Sequence, residues 1–135
     1  MRVLFDTNIW IDIAARPTTF PESLALYMKL AAQSDAIYFP LCAYTTSHYI
    51  LSKVLNAAAA QDFLKQLLQR KVRMAPFTER EVALAQSLAF TDHADACIVA
   101  CALSVKADYV VTRNVRHFKA SPISVLTPEG LMRKF

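Results

Sequence analysis

The chain opens with Arg2-Val3-Leu4-Phe5-Asp6-Thr7-Asn8, a short apolar run that ends in polar residues. A run of this length and composition fits a strand that is buried on both faces, as strands of parallel sheets are. Helical patterning follows from Thr7 to about Ala15 and stops before Pro17, because proline breaks a helix interior. The opening therefore predicts a buried strand, Arg2–Phe5, joined directly to a helix.

Strand and helix patterns alternate along the rest of the chain. The other predicted strands are Ile37–Phe39, Val72–Ala75, Tyr109–Thr112 and Ile123–Leu126. The other predicted helices are Pro21–Gln33, Tyr44–Leu55, Ala58–Lys71, one that begins after the capping box Thr78-Glu79-Arg80-Glu81, the nearly all-apolar Ala94–Val105, and one from about Pro128. Such alternation favours right-handed βαβ units. We expect one α/β domain over residues 1–135, with three α/β/α layers and a central, mostly parallel sheet.

Composition limits the class of protein. The 135 residues suit one domain, and the 55% hydrophobic content argues against disorder. The only glycine is Gly130, which excludes the glycine-rich loops that cradle nucleotide phosphates. No apolar run reaches the roughly 18 residues of a membrane span, and the N-terminus lacks a signal-peptide pattern. We therefore expect a cytoplasmic protein with no membrane partner.

The three cysteines, Cys42, Cys97 and Cys101, cannot all pair with one another. Cys97 and Cys101 are four residues apart in a predicted helix and share a face, which favours two small buried thiols. A zinc site that used His93 with both of them has no evident fourth ligand, so zinc is excluded.

Oxygen-bearing side chains follow two of the predicted strands and begin the apolar helix. Asp6 follows the first strand and Asn114 follows the strand that ends at Thr112. Either residue has an ordinary local explanation, because Asp caps helices and Asn favours turns. Asp92 and Asp95 lie on one face at the start of the apolar helix, where Asp92 is the better N-cap.

These four residues together predict a metal site. Ligands of parallel sheets bind beyond the carboxyl ends of the strands, so Asp6 and Asn114 should meet at that edge. A second carboxylate beside an apolar helix is costly unless a cation offsets its charge. Mg²⁺ prefers oxygen ligands and takes only one or two carboxylates from the protein.

Basic residues form two groups in a chain of net charge +4. Lys65, Arg70, Lys71 and Arg73 fit a solvated helix face slightly better than a binding surface. Arg113, Arg116 and Lys119 follow a strand in a turn, where they could hold a phosphate backbone.

Three motifs resemble those of the PIN-domain family, and of its VapC-like toxin ribonucleases in particular. They are Val3-Leu4-Phe5-Asp6-Thr7-Asn8-Ile9, Asp92-His93-Ala94-Asp95-Ala96, and Ala107–Phe118, which contains Thr112-Arg113-Asn114. The motifs occur in the family's order and span most of the chain. The last is the most distinctive.

The resemblance implies a site and an activity. It implies metal ligation by Asp6 and Asp95, with Asp92 and Asn114 as supporting ligands or water-holders and Thr112 lining the site. It also implies cleavage of single-stranded RNA helped by Mg²⁺ or Mn²⁺, a small antitoxin partner and a homodimer. We further expect Asn8, Thr46, Arg113 and Arg116 to line the site or the RNA path. Exposed apolar positions on the early helices, Leu24, Leu26 and Tyr27, could serve partner contacts, although core packing explains them equally well.

The sequence also departs from the family. Many members carry a Glu on the helix after the second strand, and that position falls here on Thr46, beside Ser47 and His48. Asn114 replaces the last acid, and His117 stands where many relatives have Asp. Fewer carboxylates imply weaker metal binding, which motivates the alternative of a PIN fold that binds RNA or a protein without cutting. An aspartyl-nucleophile phosphatase is disfavoured because Asn8 replaces its second Asp.

Overall fold

The computed structural model describes residues Met1–Phe135. Its strands are β1 (Arg2–Phe5), β2 (Ala36–Pro40), β3 (Arg73–Ala75), β4 (Tyr109–Val111) and β5 (Ser124–Leu126). Its helices are α1 (Thr7–Ala15), α2 (Pro21–Ala32), α3 (Tyr44–Val54), α4 (Ala57–Gln69), α5 (Glu79–Ser87), α6 (His93–Ser104) and α7 (Pro128–Met132). Short 3₁₀ turns occupy Leu41–Ala43 and Val115–Phe118.

The five strands form one sheet in the order β3-β2-β1-β4-β5, and all four pairings are parallel. β1 is the central strand, with Val3 opposite Ile37 on one side and Tyr109 on the other. Because both edges of β1 are paired and both faces are covered, Val3, Leu4 and Phe5 are fully buried. The expected three-layer α/β/α fold with a parallel sheet is confirmed.

Alternate side chains of the strands feed two apolar cores on opposite faces of the sheet. Val3 and Phe5 pack with residues of α1, α2, α4 and α7, where Trp10 is the largest fully buried side chain. Leu4 packs on the other face, chiefly against α6. The segment Ala96–Ala102 of α6 is buried throughout, as its apolar composition predicts. No helix has both the length and the apolar character that a membrane span requires.

Several sequence-based expectations need correction. Helix α4 begins at Ala57 because Asn56 caps it, its side chain accepting from the Ala59 N–H at 2.8 Å. Val72 precedes β3 rather than belonging to it. Leu26 and Tyr27 are buried and Leu24 packs against the same core, so the structure favours core packing, the other explanation that the sequence offered for these three residues.

Three helices return to the sheet through the same kind of turn. Ser34, Lys71 and Lys106 follow α2, α4 and α6 with φ values of 60°, 65° and 53°. After each helix, paired backbone hydrogen bonds close the last turn; after α4, for example, the Val72 N–H donates to the Leu67 carbonyl and the Lys71 N–H to the Leu68 carbonyl. This is the Schellman motif, which usually places glycine at the left-handed position. None of the three residues is glycine.

The capping box of α5 also ties that helix to α6. The backbone N–H and the hydroxyl of Thr78 both donate to Oε1 of Glu81, at 2.7 and 2.6 Å. Ser104 of α6 donates to Oε2 at 2.8 Å. These hydrogen bonds favour the carboxylate form and lower the pKa of Glu81 to about 2.

Replacing Glu81 with Gln should therefore destabilise the protein in a pH-dependent way. A pKa that is lower in the folded state stabilises the fold above the unfolded pKa of about 4.3, and the stabilisation is lost as pH falls toward 2. We expect the difference in free energy of unfolding between wild type and E81Q to be largest at neutral pH and to decrease as the pH falls from about 4.3 toward 2. Urea unfolding at several pH values measures it. A difference that does not vary with pH would contradict the assignment.

Candidate active site

Asp6 lies at the carboxyl edge of the sheet, where β1 passes into α1. Its Oδ1 accepts from the Thr7 N–H at 2.7 Å, and its Oδ2 accepts from the Thr112 hydroxyl at 2.8 Å. Burial raises the pKa of Asp6, and the Thr112 and Thr7 hydrogen bonds oppose that rise. Asp6 therefore caps α1 and also lies in the candidate site, two roles that the sequence left as alternatives.

Thr112 joins the ends of the neighbouring strands β1 and β4. Besides donating to Asp6, its Oγ1 accepts from the Asn8 side-chain amide at 3.2 Å and from the Asn114 N–H at 3.1 Å. Thr112 is fully buried, so it supports the site from below instead of facing a substrate. The Asn114 side chain is exposed and belongs to neither cavity described below, so its role as a supporting ligand stays a prediction.

The start of α6 supplies the other two carboxylates. Asp92 caps the helix, its Oδ1 accepting from the Ala94 N–H at 2.8 Å, as predicted. Asp95 is half-buried, and its Oδ2 is buried without a hydrogen-bond partner. Desolvation and then the negative charges of Asp92 and Asp6 raise the pKa of Asp95 to about 6. The carboxylates of Asp6 and Asp95 are therefore electrostatic neighbours.

A cavity of about 550 Å³ brings most of the predicted residues together. Asp6, Asn8, Thr46, Asp95 and Arg113 all line it. Thr46, the position of the family's Glu, thus faces the same space as the two carboxylates. Cys97 and Cys101 are buried, as predicted, and Cys97 also lines the cavity together with the partly exposed Cys42.

A second cavity, of about 480 Å³, shares Asp95 with the first. It is lined by Asp92 and Asp95 from the start of α6 and by Arg116, His117 and Lys119 from the turn after β4. The positive charge of His117 lowers the pKa of Asp95, against the larger effects that raise it. Arg116 lines this second cavity and not the one that Asp6 lines.

Asp12 was not among the site residues predicted from the sequence. This residue lies inside the apolar helix α1, is fully buried, and forms a bidentate ion pair with Arg113, with Nε to Oδ2 at 2.7 Å and Nη2 to Oδ1 at 3.2 Å. Ser23 also donates to Asp12, and the guanidinium of Arg113 stacks on the Phe20 ring at 4.1 Å. A charged residue among Ile9, Trp10 and Ile11 was the signal that could have revealed the pair.

A family model described as "PIN domain" matches residues 2–116. The chain belongs to the PIN-domain family. No curated protein matches the chain significantly.

Solved structures share the PIN fold at low sequence identity. VapBC2 from Rickettsia felis, bound to a DNA fragment from its promoter, is 21% identical with a TM-score of 0.72, covering 93% of this chain and 97% of that one. FitAcB from Neisseria gonorrhoeae is 21% identical with a TM-score of 0.67, covering 94% and 98%. VapBC-1 from nontypeable Haemophilus influenzae is 18% identical with a TM-score of 0.67, covering 96% and 99%.

The candidate site of this PIN domain has few carboxylates. No group of three or more His, Cys, Asp or Glu side chains is arranged to hold a metal ion. Two carboxylates, Asp6 and Asp95, share the first cavity, and Thr46 leaves the position of a third without an acid. Asp92 is directed to helix capping and lines only the second cavity.

Removing the guanidinium of Arg113 should destabilise this PIN domain strongly. Arg113→Ala leaves the buried Asp12 without its partner, and breaking a buried ion pair in this way costs roughly 3–5 kcal/mol. Asp12→Asn should cost less, because Arg113 is partly exposed and can reach water. Urea unfolding at neutral pH measures both variants. Equal losses, or a loss below about 1 kcal/mol for Arg113→Ala, would show that the pair does not hold the turn.

Proposed function

We propose that this protein is a metal-dependent endoribonuclease that acts on RNA as the toxin of a type II toxin–antitoxin pair. One observation carries the proposal: Asp6 and Asp95 share a cavity, and the buried Oδ2 of Asp95 has no partner within the protein. An unpaired, partly desolvated carboxylate beside a second one is unfavourable unless a cation joins them. Membership of the PIN-domain family supports the same reading.

The residues fit a hard divalent cation, Mg²⁺ or Mn²⁺, that keeps most of its water. Asp6 and Asp95 would hold it, which is the one or two carboxylates that Mg²⁺ usually takes from a protein. When bound, such a cation offsets the charge that develops on a phosphodiester and activates water as a nucleophile. Asn8 and Thr46 line the same cavity, and their side chains carry further oxygen atoms that could bind a cation.

The surrounding residues fix the orientation of these groups. The Thr112 hydrogen bond holds the Asp6 carboxylate against rotation, and the Asp12 ion pair holds the turn that follows Thr112. We assign Arg113 to positioning this turn more than to gripping RNA, because its guanidinium is already paired with Asp12 and stacked on Phe20. RNA would enter as a single strand, whose bases and phosphates can be splayed into a cavity.

The partners we propose are a small antitoxin protein and a second copy of this chain. The structural neighbours VapBC2 and VapBC-1, whose descriptions name paired proteins, support the first. Exposed apolar side chains on α3 and α4 would suit such contacts: Tyr49 is 63% exposed and Leu68 is 60% exposed. These replace the buried Leu26 and Tyr27 as partner residues.

A PIN domain that binds RNA or a protein without cutting it is the second candidate. The observation that favours it is Thr46, which lines the cavity where the family's Glu would add a third carboxylate. Two carboxylates bind a cation more weakly than three would, because the affinity depends on the negative charge of the ligands. A protein that does not retain its cation would still bind RNA or a partner but would not cleave RNA.

Alanine substitution of either cavity carboxylate should greatly lower the rate of cleavage. We expect Asp6→Ala and Asp95→Ala to lower the rate of Mn²⁺-dependent cutting of a labelled RNA by roughly 10²-fold or more, as loss of transition-state charge stabilisation does. The matched control is Asp62→Ala, an exposed acid on α4. Equal cutting by all four proteins would indicate a contaminating nuclease. RNA retained but never cut by the wild type would favour the non-cutting candidate.

Restoring the missing acid should strengthen metal binding. Thr46→Glu adds a carboxylate to the cavity that holds Asp6 and Asp95, so we expect Mn²⁺ affinity to rise by about tenfold. The control is Thr45→Glu, exposed on the same helix but outside the cavity lining. Calorimetric titration with Mn²⁺ gives the affinities without relying on activity. An equal gain in Mn²⁺ affinity in both variants would mean that the added negative charge acts wherever it is placed, and would contradict a specific role for position 46.

A further inference from the structure

The second cavity carries a concentration of basic side chains. Arg116, His117 and Lys119 line it from the turn after β4, and all three side chains are exposed. The only ion pairs of the protein are those of Asp35 with the N-terminus and of Asp12 with Arg113, so none of these three bases is neutralised by a carboxylate contact. Arg113, from the same turn, is by contrast paired internally.

The two cavities meet at Asp95, which lines both. A strand of nucleic acid whose phosphate lies beside Asp6 and Asp95 therefore has the second cavity as an adjoining path. Of the two acids there, Asp92 has one carboxylate oxygen engaged in capping α6, and Asp95 belongs also to the first cavity. Arg116 and Lys119 are the cations of this cavity that form no ion pair with a carboxylate, and a phosphate would be drawn to them.

We propose that the second cavity is a subsite for the backbone of single-stranded RNA, in which Arg116, His117 and Lys119 bind the phosphodiester next to the one at the Asp6 cavity. The inference rests on the proposed function, because it takes RNA as the ligand. It adds the direction in which the RNA strand leaves the first cavity. It also gives the two arginines different roles: Arg116 binds RNA, and Arg113 holds the turn. His117 stands where many PIN domains have an acid, so this path carries one negative charge fewer here.

The test measures RNA binding apart from cleavage. In an Asp6→Asn background, which suppresses cutting, Arg116→Ala and Lys119→Ala are compared by fluorescence anisotropy with a short, labelled, unstructured RNA over a series of KCl concentrations. We expect each substitution to raise Kd by about threefold to tenfold and to reduce the slope of log K against log salt by about 0.7, the value for one phosphate contact on a single strand.

Matched controls come from the other basic group. Lys65→Ala and Arg70→Ala remove one Lys and one Arg that are also exposed but line neither cavity. We expect them to leave Kd and the salt slope close to those of the parent. His117→Asp should weaken binding more than His117→Asn, because only the former adds negative charge to the path.

Three outcomes would overturn the subsite: no loss on Arg116→Ala and Lys119→Ala, an equal loss in the controls, or no RNA binding by the parent protein. The fate of the nuclease proposal is read separately from wild-type cleavage. Cutting that persists with unchanged KM in the Arg116→Ala and Lys119→Ala variants would remove the subsite and leave the nuclease. Binding that depends on these residues in a wild type that never cuts would keep the subsite and remove the nuclease.

Discussion

The hydroxyl of Thr112 connects three groups at the carboxyl end of β1: the Asp6 carboxylate, the Asn8 side chain and the Asn114 backbone. It donates to Asp6 and accepts from the Asn8 amide and the Asn114 backbone, so the ends of β1 and β4, the start of α1 and the following turn are held by one atom. A buried hydroxyl with three partners can adopt few other orientations. The position of the Asp6 carboxylate is therefore determined by the sheet itself, and any ion or substrate must come to it.

Charge is divided at this edge of the sheet between structural and free groups. Asp12 and Arg113 neutralise each other inside the protein, and Ser23 and Phe20 complete their surroundings. Asp95, by contrast, keeps a buried oxygen without a partner, and Arg116 and Lys119 make no ion pair. The same short turn thus contributes one arginine to stability and leaves another for a ligand, although sequence proximity alone makes them look equivalent.

The order of elements was predictable because each strand and helix has its own hydrophobic period. Asp92 as an N-cap and the Thr78–Glu81 capping box were predictable for the same local reason. What could not be predicted depends on contacts far apart in the sequence. The Asp12–Arg113 pair joins residues 101 positions apart, and the division of the site into two cavities depends on how the turn after β4 packs beside α6. Thr46 could be located only by the family resemblance, since a threonine on a helix carries no signal of its own.

The left-handed residues Ser34, Lys71 and Lys106 all lie at helix ends that lead into the amino ends of strands, whereas Asp6 and Thr112 follow carboxyl ends. A non-glycine residue in that conformation costs about 1 kcal/mol or more. Glycine at these three turns would release that strain without touching either cavity. Stability recovered at the amino edge of the sheet can therefore offset a destabilising substitution at the carboxyl edge, such as Thr46→Glu.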